Sequence, residues 1–500
     1  QQYTLFNLLR TSSVPVLQFV QKLVAPALKR DFINDLPPEL AVLVLIKLDG
    51  QSLCRASQVS KTWNTVIDNS SAIWRYRLVA EKLWVGDGSE ATDAEECRLI
   101  EQGRGRQSNK YKLLYRKRHL TRSNWKKNEP RRMNFSGHGI TVVTCLQFDW
   151  DKVVAASDDN VIHSYDLKTG SRLMTFTGHH GGVWALQYVA NVLVTGSTDR
   201  TVRVWDMNTG RNTHVFAGHT STVRCLQIVE PVNINPDNEG PPIWEPAFPL
   251  IVTGSRDYTL RVWKLPSEDD DEYLPGPLPG SPCADENDTT QMTNQNPFHM
   301  FFLQGHKHAV RALAAAGRTV VSGSYDSTVR VWDLITGKCQ HEMKGHTSKV
   351  YSVVLDRLRN RCASGSMDNT VRLWDLTTGT TLYVMDEHTS LVGLLGFSHT
   401  KLVSAAADST LRIWNPENGK SEYELKGHLG AITCFKHDEL RVISGSDGTL
   451  KLWDSNDGSF IRDLCTGYHS VWQTSFDDRF CLVAVQRGNE SEYEVLDFGR

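Results

Sequence analysis

A Gly-His pair recurs along this chain at Gly137-His138, Gly178-His179, Gly218-His219, Gly305-His306, Gly345-His346 and Gly427-His428, with a degenerate copy at Glu387-His388 and a weaker one near Gly467-Tyr468-His469. Most of these histidines lie 40 to 42 residues apart. A unit of that length cannot bury its apolar face alone, so the copies must stack on one another. The exception is the 87-residue gap from His219 to His306. Its surplus falls at Pro231–Pro249 and Pro266–Pro297, stretches rich in Pro, Asn, Asp and Glu that read as insertions without a core.

Each copy runs on to an aromatic residue: Tyr165, Trp205, Trp263, Trp332, Trp374, Trp414 and Trp453. Before it, β-branched and polar residues alternate, as in Thr201-Val202-Arg203-Val204-Trp205, and a period of two is strand rather than helix. A Ser-x-Asp turn precedes that strand, with Asp199, Asp257, Asp326 and Asp368; the matching Asp408 follows Ala406-Ala407, and Asp447 comes after a one-residue deletion. Aspartate suits the place because its carboxylate accepts backbone N–H groups in tight turns. These residues resemble WD repeats. Eight copies imply a mainly β fold, an eight-bladed WD40 β-propeller, with the segment before His138 supplying the outer strand of the eighth blade. A His, an Asp and hydroxyls suggest a catalytic triad, but catalysis needs one constellation and this set recurs. The expected role is a His–Ser/Thr–Asp–Trp set that locks each blade by pairing buried polar groups. The sequence offers no Gly-rich phosphate loop and no metal cluster, so the expectation is a non-enzyme without cofactor or metal.

Hydrophobic residues make up 40% and charged residues 22% of the 500, the balance of a folded, water-soluble protein. The formal net charge of −2 excludes a generally basic nucleic-acid binder. Residues 1–130 carry 21 Lys and Arg against 13 Asp and Glu, whereas the remainder carries 34 against 44. An anion site in the second part therefore has to be local, because the overall field opposes it. Ten cysteines without CxxC or zinc-ligand spacing point to a reducing compartment, nucleus or cytoplasm. The most apolar early stretch, Val14 to Leu28, is broken by Gln18, Gln21 and Lys22 and is too short and polar to span a bilayer. Neither membrane nor nucleic acid is an expected partner. The chain begins at Gln1 and is expected to be a fragment.

Leu36-Pro37-Pro38-Glu39-Leu40 opens a helix, with Asp35 as N-cap and Pro37 in the first turn. Leu36, Leu40, Val44 and Leu48 follow at helical spacing, and Gly50 is expected to end the helix. Gln51–Val59 and Trp63–Ile67 read as further short helices, finishing at Trp74. So small an apolar cluster gains from a partner. The pattern Leu36-Pro37…Leu40…Leu53…Val59-Ser60…Trp63…Trp74 resembles, over residues 31–76, the F-box, the adaptor-binding module of SCF ubiquitin ligases. That resemblance makes Leu36, Pro37, Leu40, Val44, Leu48 and Trp63 the expected contacts of a SKP-type adaptor and, through it, the cullin ligase core. Within residues 1–30, Val16, Phe19, Val20, Leu23 and Val24 form a second apolar stripe ending at Pro26. In the family resembled, a helix here mediates homodimerisation, which makes Val16, Phe19, Val20 and Leu23 the expected dimer contacts. Residues 77–130 are expected to be a helical linker. A polar, Gly-containing loop would run from Gly86 to Arg106, and a basic helix from Tyr111 to Leu120 would carry a solvated charged face. The propeller takes residues 131–500, with loop insertions at 231–250 and 266–300.

Equivalent positions in a ring of blades occupy equivalent places, so departures carry information. The fifth residue after each repeat His is Trp184, Arg224, Arg311, Tyr351, Gly393 and Thr433, with Thr144 aligned in the first copy. This position starts each inner strand at the top of the central channel. Residues flanking the turn Asp line the same rim, among them Thr198 and Arg200, Arg256 and Tyr258, and Tyr325 and Ser327. Arg200, Arg224, Arg256 and Arg311 thus converge from three adjacent blades. Trp184, Tyr325 and Tyr351 stand beside them, and Thr144, Thr198, Thr222 and Val142 form a floor. Clustered guanidinium groups repel one another unless an anion joins them, and the Arg fork matches phosphate oxygens bidentately. By contrast, Arg203, Arg261, Arg330, Arg372 and Arg412 recur two residues before the blade aromatic and belong to the scaffold.

The stretches Gly181-Gly182-Val183-Trp184, Gly196-Ser197-Thr198-Asp199-Arg200, Ser221-Thr222-Val223-Arg224-Cys225 and Gly254-Ser255-Arg256-Asp257 resemble the cell-division-control type of F-box/WD-repeat substrate receptors of SCF ubiquitin ligases. The resemblance covers nearly the whole chain. It implies that Arg224, Arg256 and Arg311 with Tyr325 grip a phosphothreonine or phosphoserine. Arg200 would add charge nearby, and Trp184 would pack against a following proline. The chain would then be a non-catalytic adaptor that delivers phosphorylated cell-cycle regulators for ubiquitination, in the nucleus. Asn160 departs from the pattern, standing where some relatives carry a basic residue. The alternatives are a receptor of the same build that reads an unmodified or metabolic signal, and a plain WD40 scaffold.

Overall fold

The computed structural model describes residues 8, 10–28, 31–84, 90–103, 108–149, 151–234, 242–267, 270–274 and 296–499. They fall into two compact units, 1–120 and 121–500.

In the first unit, short helices are set by side-chain caps. Asp31 accepts from the Asn34 N–H at 3.2 Å and caps the single turn Phe32–Asp35. Its carboxylate also accepts from the Trp63 indole at 2.5 Å and the Ser60 hydroxyl at 3.3 Å, tying that turn to the helix Lys61–Asn69. These bonds hold the Asp31 pKa below the usual carboxylate range, with the Trp63 indole the largest cause. Asp35 therefore ends a turn instead of capping the helix Pro38–Leu45, whose N-cap is Pro37. Gly50 opens the helix Gly50–Ala56 behind the cap Asp49, and does not end the one before it. The reason is packing, since a Cβ at Gly50 would collide with the Tyr115 hydroxyl. Ser70 caps Ser71–Ala80. Ile33, Leu45, Leu53, Ile67, Ile73, Trp74 and Leu78 are buried.

Three further expectations change in this unit. The loop read from Gly86 to Arg106 is a helix over Glu90–Gly103, with Ala94 and Cys97 buried; residues 85–89 and 104–107 lie outside the described ones. Gly103, one of the glycines that suggested a loop, is the last residue of the helix and does not break it. The charged face of the basic helix, Lys110–Lys127, is partly committed to ion pairs rather than solvated. Lys112 meets Asp68 at 2.6 Å, and Arg118 meets Asp93 at 2.7 Å and Glu90 at 3.8 Å. Finally, the N-terminal helix Val14–Leu28 continues two residues beyond Pro26.

The second unit is a ring of eight antiparallel four-stranded blades, formed by residues 143–176, 183–216, 223–303, 310–344, 350–385, 392–426, 434–465 and 470–497, the last completed by Arg131–Ser136. That segment pairs with Glu490–Asp497, from Arg131 opposite Asp497 to Ser136 opposite Glu492. The two ends of the unit thus close the circle as the repeat count requires. The helix segment from Thr121 onward belongs here. Trp125 is buried with its ring centre 3.8 Å from that of Phe498, its indole donating to the Asp478 carbonyl at 2.9 Å. Arg122 and Lys126 both meet the buried Asp454.

The blade lock is a hydrogen-bonded relay. In blade 4, His306 pairs with Asp326 at 2.9 Å and Ser322 at 2.8 Å, and the Trp332 indole donates to Ser322 at 2.8 Å. Blades 2, 3, 5 and 6 repeat it through His179, His219, His346 and His388. Blade 7 departs from it. His428 keeps Ser444 at 2.7 Å, but its other ring nitrogen meets Thr449 at 3.3 Å and has no bond to Asp447. The one-residue deletion moves the Asp447 carboxylate against Gly430. Blade 1 uses Asp159, at 3.0 Å from His138, an aspartate the turn pattern passed over.

The insertions are not structureless. Val232–Asn233 pairs with Trp244–Glu245 as a hairpin, and residues 270–274 dock on blade 2. The outer strand of blade 3 begins at His299, so the second insertion is shorter than 266–300. Residues 235–241, 268–269 and 275–295 of these insertions lie outside the described ones.

Candidate functional site

Two repeated devices present the rim. The first is a bulge in the inner strand. Pairing shifts by one residue between Val143 and Cys145, Val183 and Ala185, Val223 and Cys225, Val310 and Ala312, Val350 and Ser352, and Val392 and Leu394. The extra residues are Thr144, Trp184, Arg224, Arg311, Tyr351 and Gly393, the positions singled out by counting from the repeat His. A bulge leaves its extra residue unpaired and re-aims it. The second device is a clasp between the turn and the residue two places before the bulge. Thr198 N–H donates to Gly182 O at 2.9 Å, Arg256 N–H to Thr222 O at 2.9 Å, and Tyr325 N–H to Ala309 O at 3.0 Å. Gly182 allows the close approach, because a Cβ there would collide with the Asp158 carboxylate of blade 1.

The guanidinium of Arg224 lies over the Trp184 ring. Arg311 lies 5.9 Å from the Tyr351 ring centre, and Tyr351 lies 5.3 Å from Tyr325. Arg224 is half-buried, and its pKa is pushed down to about 10, first by burial and then by the charge of Arg311, with Arg256 adding to it. This places the three guanidinium groups in one another's field. Arg200 and Arg256 are exposed on neighbouring turns. Among the described residues, none of Arg200, Arg224, Arg256 and Arg311 has a carboxylate within ion-pair distance, although many of the chain's other arginines do. Four uncompensated cations on three adjacent blades are arranged for an anion with several acceptor oxygens.

Other members of the expected site fare differently. Thr144 is no ligand donor, because its hydroxyl donates to the carbonyls of Ala156, at 3.1 Å, and Val183. It fastens blade 1 to blade 2. Thr198 is exposed beside Arg200, and Thr222 is half-buried with its carbonyl in the clasp. Val142 is exposed. Sequence counting missed two rim residues. Trp472 occupies the bulge of blade 8, between Val471 and Gln473; the signal was Val471-Trp472, matching Val183-Trp184, but His469 stands three residues before it and not five. Lys349 lies 5.0 Å from the Tyr325 ring centre, two places before the Tyr351 bulge, where no other blade carries a cation. Among the described residues, no group of three or more His, Cys, Asp or Glu could hold a metal ion.

In the first unit, Leu40, Leu43, Val44, Val59 and Val79 are exposed. Leu36 and Leu48 are half-buried and Pro37 is exposed. Trp63 is committed to Asp31 and to an edge contact with Phe32 at 5.2 Å, so it shapes this surface more than it protrudes from it. On the N-terminal helix, Val16, Phe19 and Leu23 are exposed and Val20 is half-buried.

Comparison with known proteins gives this arrangement its family. The F-box-like family model matches residues 33–79. That of the WD domain, G-beta repeat, matches 170–206, 210–264, 298–333, 337–375 and 419–454. Cell division control protein 4 of Candida albicans is 43% identical over 511 residues, covering 100% of this chain and 73% of that protein. The chain belongs to the F-box/WD-repeat substrate receptors of SCF ubiquitin ligases. WD repeat-containing protein pop1 of Schizosaccharomyces pombe is 37% identical, over 100% of this chain and 65% of its own length. Among solved structures, the computationally designed Ika8 protein matches with a TM-score of 0.56 at 29% identity, covering 72% of this chain and 98% of that one. In this family the F-box/WD chain is an adaptor and not a catalyst.

Proposed function

We propose that the chain is the substrate-recognition subunit of an SCF-type ubiquitin ligase whose arginine rim captures phosphothreonine- or phosphoserine-proline degrons of cell-cycle regulators. The F-box face docks on a SKP-type adaptor and the cullin core, residues 77–130 link it to the propeller, and the N-terminal helix pairs two copies. The observation that carries this reading is the set Arg200, Arg224, Arg256 and Arg311, gathered without a carboxylate partner among the described residues. A phosphate brings close to two negative charges and three acceptor oxygens. Charge-assisted bonds to it are worth about 1.5–3 kcal/mol each, whereas a threonine hydroxyl offers the arginines nothing comparable. Binding thus follows phosphorylation. Trp184 supplies an apolar wall for the proline, and the Tyr325 hydroxyl a neutral donor.

The test is fluorescence anisotropy of a Thr-Pro peptide, with and without phosphate, on the full chain and on Arg256→Ala. The phosphorylated peptide is expected to bind at least ten-fold more tightly, with most of that preference lost in the variant. Equal binding of the two peptides would remove the phosphate reading and favour a receptor of an unmodified signal. In a parallel pull-down of adaptor, Val44→Asp is expected to abolish recruitment while leaving peptide binding intact.

A further inference from the structure

The outer strand of each blade is a sheet edge. An edge offers unpaired N–H and C=O groups to any other chain, and folded proteins blunt it with charge or with a covering segment. The repeat lets these edges be compared position by position. On the exposed face of the edge, blade 4 carries Gln340, Glu342 and Lys344, and blade 6 carries Glu422, Glu424 and Lys426. Glu342 stands opposite Arg330 and pairs with it at 2.9 Å. Glu424 stands opposite Arg412 and pairs with it at 2.9 Å. Each glutamate also meets the lysine two places on, Lys344 at 3.4 Å and Lys426 at 2.9 Å.

Blade 5, between them, departs from this pattern. Its edge strand, Thr381–Met385, carries no charge, and the matching positions are Leu382, Val384 and Asp386. Leu382 is 38% and Val384 48% exposed, and Asp386 is exposed. Val384 stands where the glutamates do, opposite the half-buried Arg372. Among the described residues, neither Arg372 nor Asp386 has an opposite charge within ion-pair distance. Two other uncharged edges are managed within the chain. In blade 3, Arg261 lies 4.3 Å from the Phe302 ring centre and donates to the Gly218 carbonyl at 2.8 Å. In blade 2, the edge Asn212–Phe216 is covered by the chain itself. The Tyr273 N–H donates to Thr213 O at 3.1 Å and the Val215 N–H to Tyr273 O at 2.8 Å, a parallel bridge beside His214. A fifth, parallel strand on a blade is thus a geometry this chain already forms.

We propose that the edge of blade 5 receives a fifth parallel strand from a partner protein. The segment it fits is extended, with an apolar residue, an acid and a base at alternate positions, set against Leu382, Val384 and Asp386. Main-chain hydrogen bonds along the edge supply affinity, and the alternate side chains supply specificity. The acid replaces the carboxylate that Glu342 and Glu424 provide in blades 4 and 6. The incoming strand lies about 10 Å from the Arg372 backbone, two strand spacings, a gap that an arginine and a glutamate side chain span together. The base meets Asp386, where the neighbouring blades have their own lysine. None of these residues belongs to the arginine rim, so the proposal stands apart from what the rim reads.

The experiment titrates the full chain with a labelled peptide, Thr-Ile-Thr-Glu-Thr-Lys-Thr, by fluorescence anisotropy, with hydrogen exchange at saturation. Saturable binding is expected, with slower amide exchange in 381–385. Exchanging the Glu and Lys of the peptide is expected to weaken binding about five-fold, and methylating its alternate backbone nitrogens to abolish it. Val384→Glu restores the pattern of blades 4 and 6. It is expected to melt no lower than wild type, to leave phosphopeptide binding at the rim unchanged, and to lose the edge peptide by about ten-fold or more. The proposal is overturned by absence of saturable binding, by protection elsewhere than 381–385, by equal binding of the charge-exchanged peptide, or by undiminished binding to Val384→Glu. Self-association of the wild type in sedimentation velocity that Val384→Glu removes would assign the edge to a second copy of this chain, and would overturn it as well.

Discussion

The guanidinium of Arg224 stacks 4.1 Å from the centre of the Trp184 ring, across the seam between blades 2 and 3. A stack of this kind fixes the plane of the fork and compensates part of the charge that burial disfavours. Trp184→Ala is therefore expected to weaken phosphopeptide binding about ten-fold, the contact being worth about 1–2 kcal/mol. The inner strand should stay folded, because the ring is only half-buried. Trp184→Phe should recover part of the loss. Anisotropy titrations beside a thermal melt check this, and unchanged affinity in Trp184→Ala would refute it.

The residue after each turn aspartate has a positive φ: Asn160 at 65°, Arg200 and Tyr258 at 72°, Ser327, Asn369 and Ser409 at 67°, and Gly448 at 70°. Gly and Asn tolerate this region, whereas a bulky side chain pays about 1 kcal/mol or more. Arg200 and Tyr258 are the bulky ones; Arg200 belongs to the arginine cluster and Tyr258 stands two residues after Arg256. Strain held at such a place points to use. Arg200→Asn is expected to raise unfolding free energy by about 0.5–1 kcal/mol while weakening phosphopeptide binding several-fold. Urea denaturation and anisotropy read the two signs separately. A variant that loses both stability and binding would show that Arg200 serves the fold.

Much of this was legible in sequence because repeats multiply the signal. The blade count, the closing strand before His138 and the bulge positions follow from spacing, and copies of one motif correct each other. The rim arginines were legible as departures from that average. Legibility failed where no second copy existed. Gly50 looked like a helix end because glycine usually is one, but its reason lies in Tyr115, 65 residues away. The helix Glu90–Gly103 was hidden by flanking glycines, and Trp472 by a repeat whose His had drifted. Thr144 stood at the right position with its hydroxyl already committed across a blade seam, which spacing cannot reveal.

Burial lowers the pKa of several blade histidines. It lowers His428, and His163 in blade 1, to about 4, and it outweighs the aspartate partner at His179, His219 and His388. Each ring is thus neutral in the fold, while an unfolded chain takes up the proton near pH 6.5. Their contribution to stability is complete above about pH 6.5 and is lost as pH falls from there toward 4, by on the order of 1 kcal/mol per pH unit for each fully buried ring. Urea midpoints are expected to drop steadily over that window. Blade 7, whose His428 lacks an aspartate bond, should gain hydrogen exchange at pH 5 before blade 2, whose His179 keeps its bond to Asp199, does. Uniform exchange across blades would contradict this ordering.

Ring closure concentrates on Arg132 and Glu494. One guanidinium nitrogen meets the Glu494 carboxylate at 2.7 Å and the other donates to the Leu464 carbonyl at 2.7 Å. Glu494 is 2% exposed and accepts from the Tyr468 hydroxyl as well. Arg132 itself is exposed, so solvent screens part of the charge its removal leaves, and the loss stays below the about 3–5 kcal/mol of a fully buried pair. With Tyr468 still donating, Arg132→Ala is expected to lose about 2–3 kcal/mol. The loss should appear first as faster amide exchange in 131–136 and 490–497, because the pairing of those two strands completes the last blade. Adding Glu494→Gln should restore part of the stability, as the buried charge is then gone. If Arg132→Ala unfolds at the wild-type urea midpoint, backbone pairing of the two strands suffices and the ion pair contributes nothing to closure.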